Sequence, residues 1–185
     1  MKPLILGTLL GTLVALACNV ISWDVLDWRD ANLSTFDDDS EVTSVIAKNA
    51  THDGIYVLPG GPNSVSDSKV AVDALRKGPV VFAAIQVHGF GSFTKAMIAQ
   101  AIDLFIAAFL ATWLLSQTSG LNYVRRVLFV GVIGLAASVI SDLPNWTWWG
   151  FPASYTAICL IDTTVTWLLV GLVIARTIQV NARAV

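Results

Sequence analysis

Four apolar stretches, 4–21, 93–115, 127–143 and 155–175, constrain this chain more than any other feature. Each reaches or approaches the roughly 20 residues that an α-helix needs to cross the hydrocarbon core of a bilayer. A water-soluble domain of 185 residues could not hide them, because 55% of the chain is hydrophobic and only 13% is charged. The expected fold is an α-helical membrane protein, a bundle of four transmembrane helices with a small external α/β insertion between helices one and two. Residues 1–22 make the first helix, 23–92 the external segment, 93–177 helices two to four, and 178–185 a tail. Lys2 ahead of an apolar run ending in "ALAC" has the outline of a cleavable leader. Leu16 is atypical two residues before such a cysteine, and the run continues through "NVIS", so the helix is expected to remain as an anchor.

Orientation follows from the short flanks. Lys2, the pair Arg125 and Arg126, and Arg176 with Arg183 border the N-terminus, the second connection and the C-terminus. "DLPNWTWWGFP", between helices three and four, contains no Lys or Arg. The positive-inside bias puts both termini on the cytoplasmic side. Segment 23–92 carries ten of the thirteen acids and is expected outside, as a periplasmic loop. Trp23, Trp28, Trp146, Trp148 and Trp149 then fall at the outer interface, where an indole sits half in headgroups with its N–H hydrogen-bonded.

The external segment reads as α-β-α-β. Acids at 37–39 precede Val42, Val45 and Ile46 on one helical face, which predicts a helix from about 38 to 48. "GIYVLP" is a short strand closed by Pro59, and "GGPNS" is a loop. Ser68 can cap a second helix whose Val70, Ala71, Ala74 and Leu75 share a face, with Gly78 and Pro79 at its stop. "PVVFAAIQV" is the second strand. A helix-containing crossover suits parallel pairing of the two strands. Antiparallel pairing with Leu58 opposite Val80 would instead bring His52, His88 and Asp53 close enough to share copper or zinc. With the parallel arrangement favoured, the histidines read as solvated or hydrogen-bonded and no metal or other cofactor is expected. "DDD" at 37–39 lacks the alternating ligands and central glycine of a calcium loop.

"ISWDVLDW" after the first helix, then "GIYVLP" and "GPVVFA" before the second, resembles a pattern found in uncharacterised bacterial inner-membrane proteins of four helices. The resemblance spans most of the chain. It implies an inner-membrane location and carries no activity onto any residue.

Within the spans, Asp103 and Asp162 stand out. They lie roughly 14 Å and 10 Å from the outer ends of helices two and four at about 1.5 Å per residue. Gln100 sits one turn above Asp103, and Thr163 and Thr166 neighbour Asp162, so both sets are expected on inward faces. No Lys or Arg falls deep in a span to neutralise the acids. Three roles fit: protonated hydrogen-bonding residues that lock the bundle, partners of a cation on another subunit, or members of a proton or cation relay. On the first helix Gly7, Gly11 and Ala15 make a small-residue stripe for helix packing. Cys18 and Cys159 show no Cys-x-x-Cys and read as buried small residues.

The formal charge of -2 and the scattered basic residues exclude a nucleic-acid partner. Neither a Gly-x-Ser-x-Gly nor a phosphate-cradling glycine loop is present, so no enzyme is expected. The sequence thus points to a non-catalytic accessory, assembly or interaction subunit, whose partners are the lipid bilayer and other membrane subunits or a second copy. A small proton- or cation-coupled transporter using Asp103 and Asp162 is the alternative, and a metal-handling membrane protein the third.

Overall fold

The computed structural model describes residues 2–60 and 69–178, without the side chains of Val70 and Ala71. In chain order the elements are α1 (Lys2–Val20), α2 (Asp39–Asn49), β1 (Gly54–Leu58), α3 (Lys69–Lys77), β2 (Val81–Ile85), α4 (Phe93–Ser116), α5 (Tyr123–Trp149) and α6 (Ala153–Thr177). They divide into two compact units, Met1–Leu33 with Thr94–Val185, and Ser34–Phe93. Residues 23–33 therefore belong with the long helices and not with the insertion.

Four helices, α1 with its continuation to Val25, α4, α5 and α6, are long and apolar enough to span a membrane. When side chains on every face are apolar, hydrophobicity cannot choose which face packs, and close backbone approach decides instead. A β-carbon at Gly171 of α6 would stand 2.9 Å from the Val127 carbonyl oxygen of α5. One at Gly134 of α5 would stand 2.4 Å from Cβ of Trp167, and one at Gly131 2.3 Å from Cδ2 of Leu168. The α5–α6 contact is thus made through glycines on both helices, none of which stood out in the sequence. The α1 stripe makes the second seam. Gly7 faces Thr177 of α6 and Thr112 of α4, Gly11 faces Ile174 and Val170, and Ala15 is fully buried. Buried hydroxyls return to their own helices: Thr12 Oγ1 donates to the Thr8 carbonyl at 2.8 Å and Thr112 Oγ1 to Ala108 at 2.6 Å.

These contacts gather the start of α1, the end of α4, the start of α5 and the end of α6 at one end of the unit. Arg126 donates to the Ile178 carbonyl there, and Tyr123 Oη donates to the Leu172 carbonyl at 3.0 Å. The Asn122 side chain caps α5 by accepting from Arg125 N at 3.0 Å, so Arg125 and Arg126 lie inside the helix. At its other end α5 continues beyond 143, through Pro144, to Trp149. Proline removes the amide donor that would meet the Ile140 carbonyl, and around it Asn145 Nδ2 donates to the Ser141 carbonyl at 3.1 Å and Thr147 Oγ1 to the Leu143 carbonyl at 2.9 Å. Gly150, at φ 70°, stops the helix as its amide turns back to the Asn145 carbonyl. Trp146, Trp148 and Trp149 therefore occupy the last helical turns and not a loop.

In the second unit, Asp38 caps α2 by accepting from Ser40 N and Glu41 N, each at 2.9 Å. Those bonds, the Glu41 amide first, hold its carboxyl below the usual aspartate range. The strands pair antiparallel, Gly54 with Ile85 and Leu58 with Val81, which corrects the parallel expectation. A βαβ unit needs its crossover helix buried on the sheet, but Val72 and Leu75 of α3 remain exposed. Gly78, at φ 64°, then turns the chain directly into β2. The expected loop at 61–64 and the Ser68 cap lie outside the described residues. Among the described residues of this unit only Ala50 is buried.

Gly171→Ala should destabilise the protein by about 1–3 kcal/mol, the usual cost of overpacking, because a backbone oxygen cannot move aside as a side chain can. Gly91→Ala, where a β-carbon meets nothing within 4 Å, should be neutral. Thermal unfolding in a mild detergent compares the two.

Candidate functional site

The chain does not leave the helical unit when α1 ends. A π turn, Ile21–Val25, inserts one extra residue into the helical repeat and turns Ser22 inward to 2% exposure. A short 3-10 turn, Asp30–Asn32, follows, and the arginine before it points back into the bundle. Arg29 is 8% exposed. Its guanidinium forms an ion pair with Asp162 of α6 through Nη2. Nε donates to Ser22 Oγ at 3.3 Å, and Nη1 approaches Cys159 Sγ at 3.6 Å. The Trp23 ring lies over the guanidinium at 4.3 Å, while Trp28 Nε1 donates to the Ser22 carbonyl at 3.2 Å.

Asp162 therefore has a counter-charge from its own chain, contrary to the expectation that none lies within reach. The expectation failed because Arg29 falls in a stretch that reads as external. The neighbouring threonines Thr163 and Thr166 are half-buried.

Asp103 and Gln100 are placed differently. Both are exposed on the surface of α4, with no side-chain hydrogen bond or ion pair among the described residues. The α4 face that does pack is another one, made of Ala108, Ala111, Thr112 and Leu115, each at most 1% exposed. The inward position expected for Asp103 and Gln100 is corrected accordingly. Asp103 lies about 15 Å from the start of a helix about 36 Å long, close to the middle of a length suited to spanning hydrocarbon.

A third acid was hidden by the proline. Asp142 sits on the last turns of α5 and accepts from Ser138 Oγ. With Asn145, Phe151, Tyr155, Thr156 and Cys159 it lines a cavity of about 120 Å³ between α5 and α6, whose Cys159 wall is the residue Arg29 touches. The aspartate in "SDLPN" was the only signal, and it reads as loop when Pro144 is taken as a helix end.

In the second unit Asp53 Oδ1 accepts from Val87 N at 2.8 Å, continuing the hairpin beyond its strands. The His52 ring lies 5.9 Å from the Tyr56 ring, and His88 is exposed. Among the described residues no group of three or more His, Cys, Asp or Glu side chains is placed to hold a metal ion.

Comparison with known proteins finds no matching family model, no matching curated protein and no matching solved structure. Function must then be read from the residues themselves.

Asp162→Asn should destabilise the protein by about 3–5 kcal/mol, since it leaves a buried guanidinium without compensation. Combining Arg29→Met with Asp162→Leu should restore stability to near the wild-type value, because apolar replacement of a whole buried pair is often neutral. Denaturant unfolding of the single and double variants distinguishes these outcomes.

Proposed function

We propose that this chain is a non-catalytic integral protein of a bacterial inner membrane, serving as an accessory, assembly or interaction subunit of a membrane complex. The observation that carries the reading is the uncovered pair Gln100 and Asp103. An acid at the centre of a spanning helix costs about 2.5–3.5 kcal/mol on insertion scales, and such residues normally face protein or a water-filled cavity. Here the chain's own helices leave it outward, so a further protein surface is the economical cover. The second unit adds support. Ile55, Leu58, Val80 and Phe82 stay exposed around a two-stranded sheet that is too small to stand alone.

Topology follows the charges. Lys2, Arg125, Arg126 and Arg176 cluster at the end where α1 begins and α6 ends, which supports a cytoplasmic location for both termini and a periplasmic one for Ser34–Phe93. Impermeant thiol reagents should reach a cysteine placed at Asn49 only from the periplasmic side, and one placed at Gln117 only from the cytoplasmic side. Reversed labelling would overturn the orientation.

Coupled transport is the second reading, favoured by the cavity at Asp142. Against it, Asp162 is committed to an ion pair with Arg29 of its own chain and so is not placed as an open relay position. Mild-detergent purification from native membranes should recover the wild type in a complex larger than the monomer that Asp103→Leu disrupts. Recovery as a monomer that conducts protons or cations in liposomes would favour transport instead.

A further inference from the structure

Resting on that reading, we infer that the occupant of the uncovered α4 face is the α4 helix of a second copy of this chain. Ala96, Gln100, Asp103, Ala107, Leu110 and Leu114 recur at steps of four, three, four, three and four residues. That alternation is the a/d pattern of a helix that packs along its length against another helix. Ala96, Gln100 and Asp103 are exposed, Leu110 and Leu114 are 48% and 39% exposed, and Ala107 is half-buried. The row lies about a third of a turn around α4 from the face that packs within the chain, so covering it displaces nothing.

The chemistry of the row selects the partner. Where this chain buries an acid against itself, it supplies a guanidinium, Arg29 on Asp162. Beside Asp103 it supplies an amide instead, one turn away on the same helix and on the same face. Gln100 carries two N–H donors and Asp103 carries acceptor oxygens, so each helix offers what the other copy needs. Two copies inserted in one membrane share their orientation, and their α4 helices run parallel. Across a two-fold axis along the bilayer normal, Gln100 of one copy and Asp103 of the other differ in height by about 4.5 Å, three residues of helical rise. A glutamine side chain spans that offset. The interface is then isologous, with the Gln100-to-Asp103 hydrogen bond made twice. The alanines above and below let the backbones approach closely enough for those bonds to form.

The intact protein should sediment and scatter light as a dimer in mild detergent. In liposomes, energy transfer between labelled copies should fall on dilution with lipid along a dimer–monomer curve. Asp103→Asn, which keeps hydrogen-bonding capacity, should leave the dissociation constant within a few-fold of wild type. Gln100→Leu with Asp103→Leu should raise it at least tenfold, and because both positions face away from the chain's own core, the monomer should keep its helicity. Ala107→Cys should cross-link to its copy under mild oxidation, and Ile102→Cys, on a different face of the same exposed helix, should not. The cross-linking comparison leaves Gln100 and Asp103 intact, so it decides the matter even where the double variant misfolds. A monomeric wild type, or cross-linking at Ile102 but not at Ala107, would overturn the dimer. A wild type that lacks a second copy but retains a different membrane protein, lost in Asp103→Leu, would overturn the dimer while leaving the interaction-subunit reading standing. A monomer with no partner at all would remove both.

Discussion

Charge held away from water is the constraint on which the helical unit depends. Arg29 and Asp162 are nearly enclosed, and each is tolerable only because the other is present. Much else follows from placing them together. The π turn after α1 holds Ser22 buried, with its hydroxyl accepting from Nε of the arginine. Trp23 closes over the guanidinium, and Trp28 anchors the turn through the Ser22 carbonyl. The first residues after α1 thereby become part of the bundle, tied to the middle of α6. The buried hydroxyls of Thr8, Thr12 and Thr112 answer the same constraint locally by donating to carbonyls one turn back, and Ser138 does so by donating to Asp142.

The four long apolar helices were legible in the sequence because length and apolar composition are nearly all that such a helix requires. Their ends were less so. Pro144 reads as a terminator by its missing amide, yet the helix runs through it, and this placed three tryptophans on α5. Which face of each helix packs was not legible at all. α4 is apolar around most of its circumference, so no amphipathic stripe distinguishes inside from outside. Asp103 and Asp162 therefore looked alike, at comparable depth with polar neighbours, and only the glycine contacts that set helix against helix separate them. Arg29 was visible as a residue and invisible as a partner, because it lies 133 positions from Asp162 in the sequence.

The second unit shows the opposite balance. Its local signals are strong, and the Asp38 cap and both strands stand where turn and capping chemistry put them. Its pairing direction depended on tertiary packing, namely whether α3 lies on the sheet, and composition does not encode that. A helix of nine residues with Val72 and Leu75 left exposed adds almost nothing to a core. With Ala50 as the only buried position among its described residues, the unit holds its shape through caps, a hairpin ladder and the Asp53 bond to Val87 more than through apolar burial.

The two deep acids illustrate how one residue type acquires different consequences from its surroundings. Asp162 meets a fixed cation within its own chain, so its removal is felt as lost stability. Asp103 meets no partner among the described residues, so its free energy is set by whatever lies against α4, and its removal should scarcely alter the fold of a single copy. A group whose cost is borne only in isolation favours association without contributing to the monomer. Stability measurements on separated chains are therefore expected to report on Asp162, and measurements of assembly on Asp103.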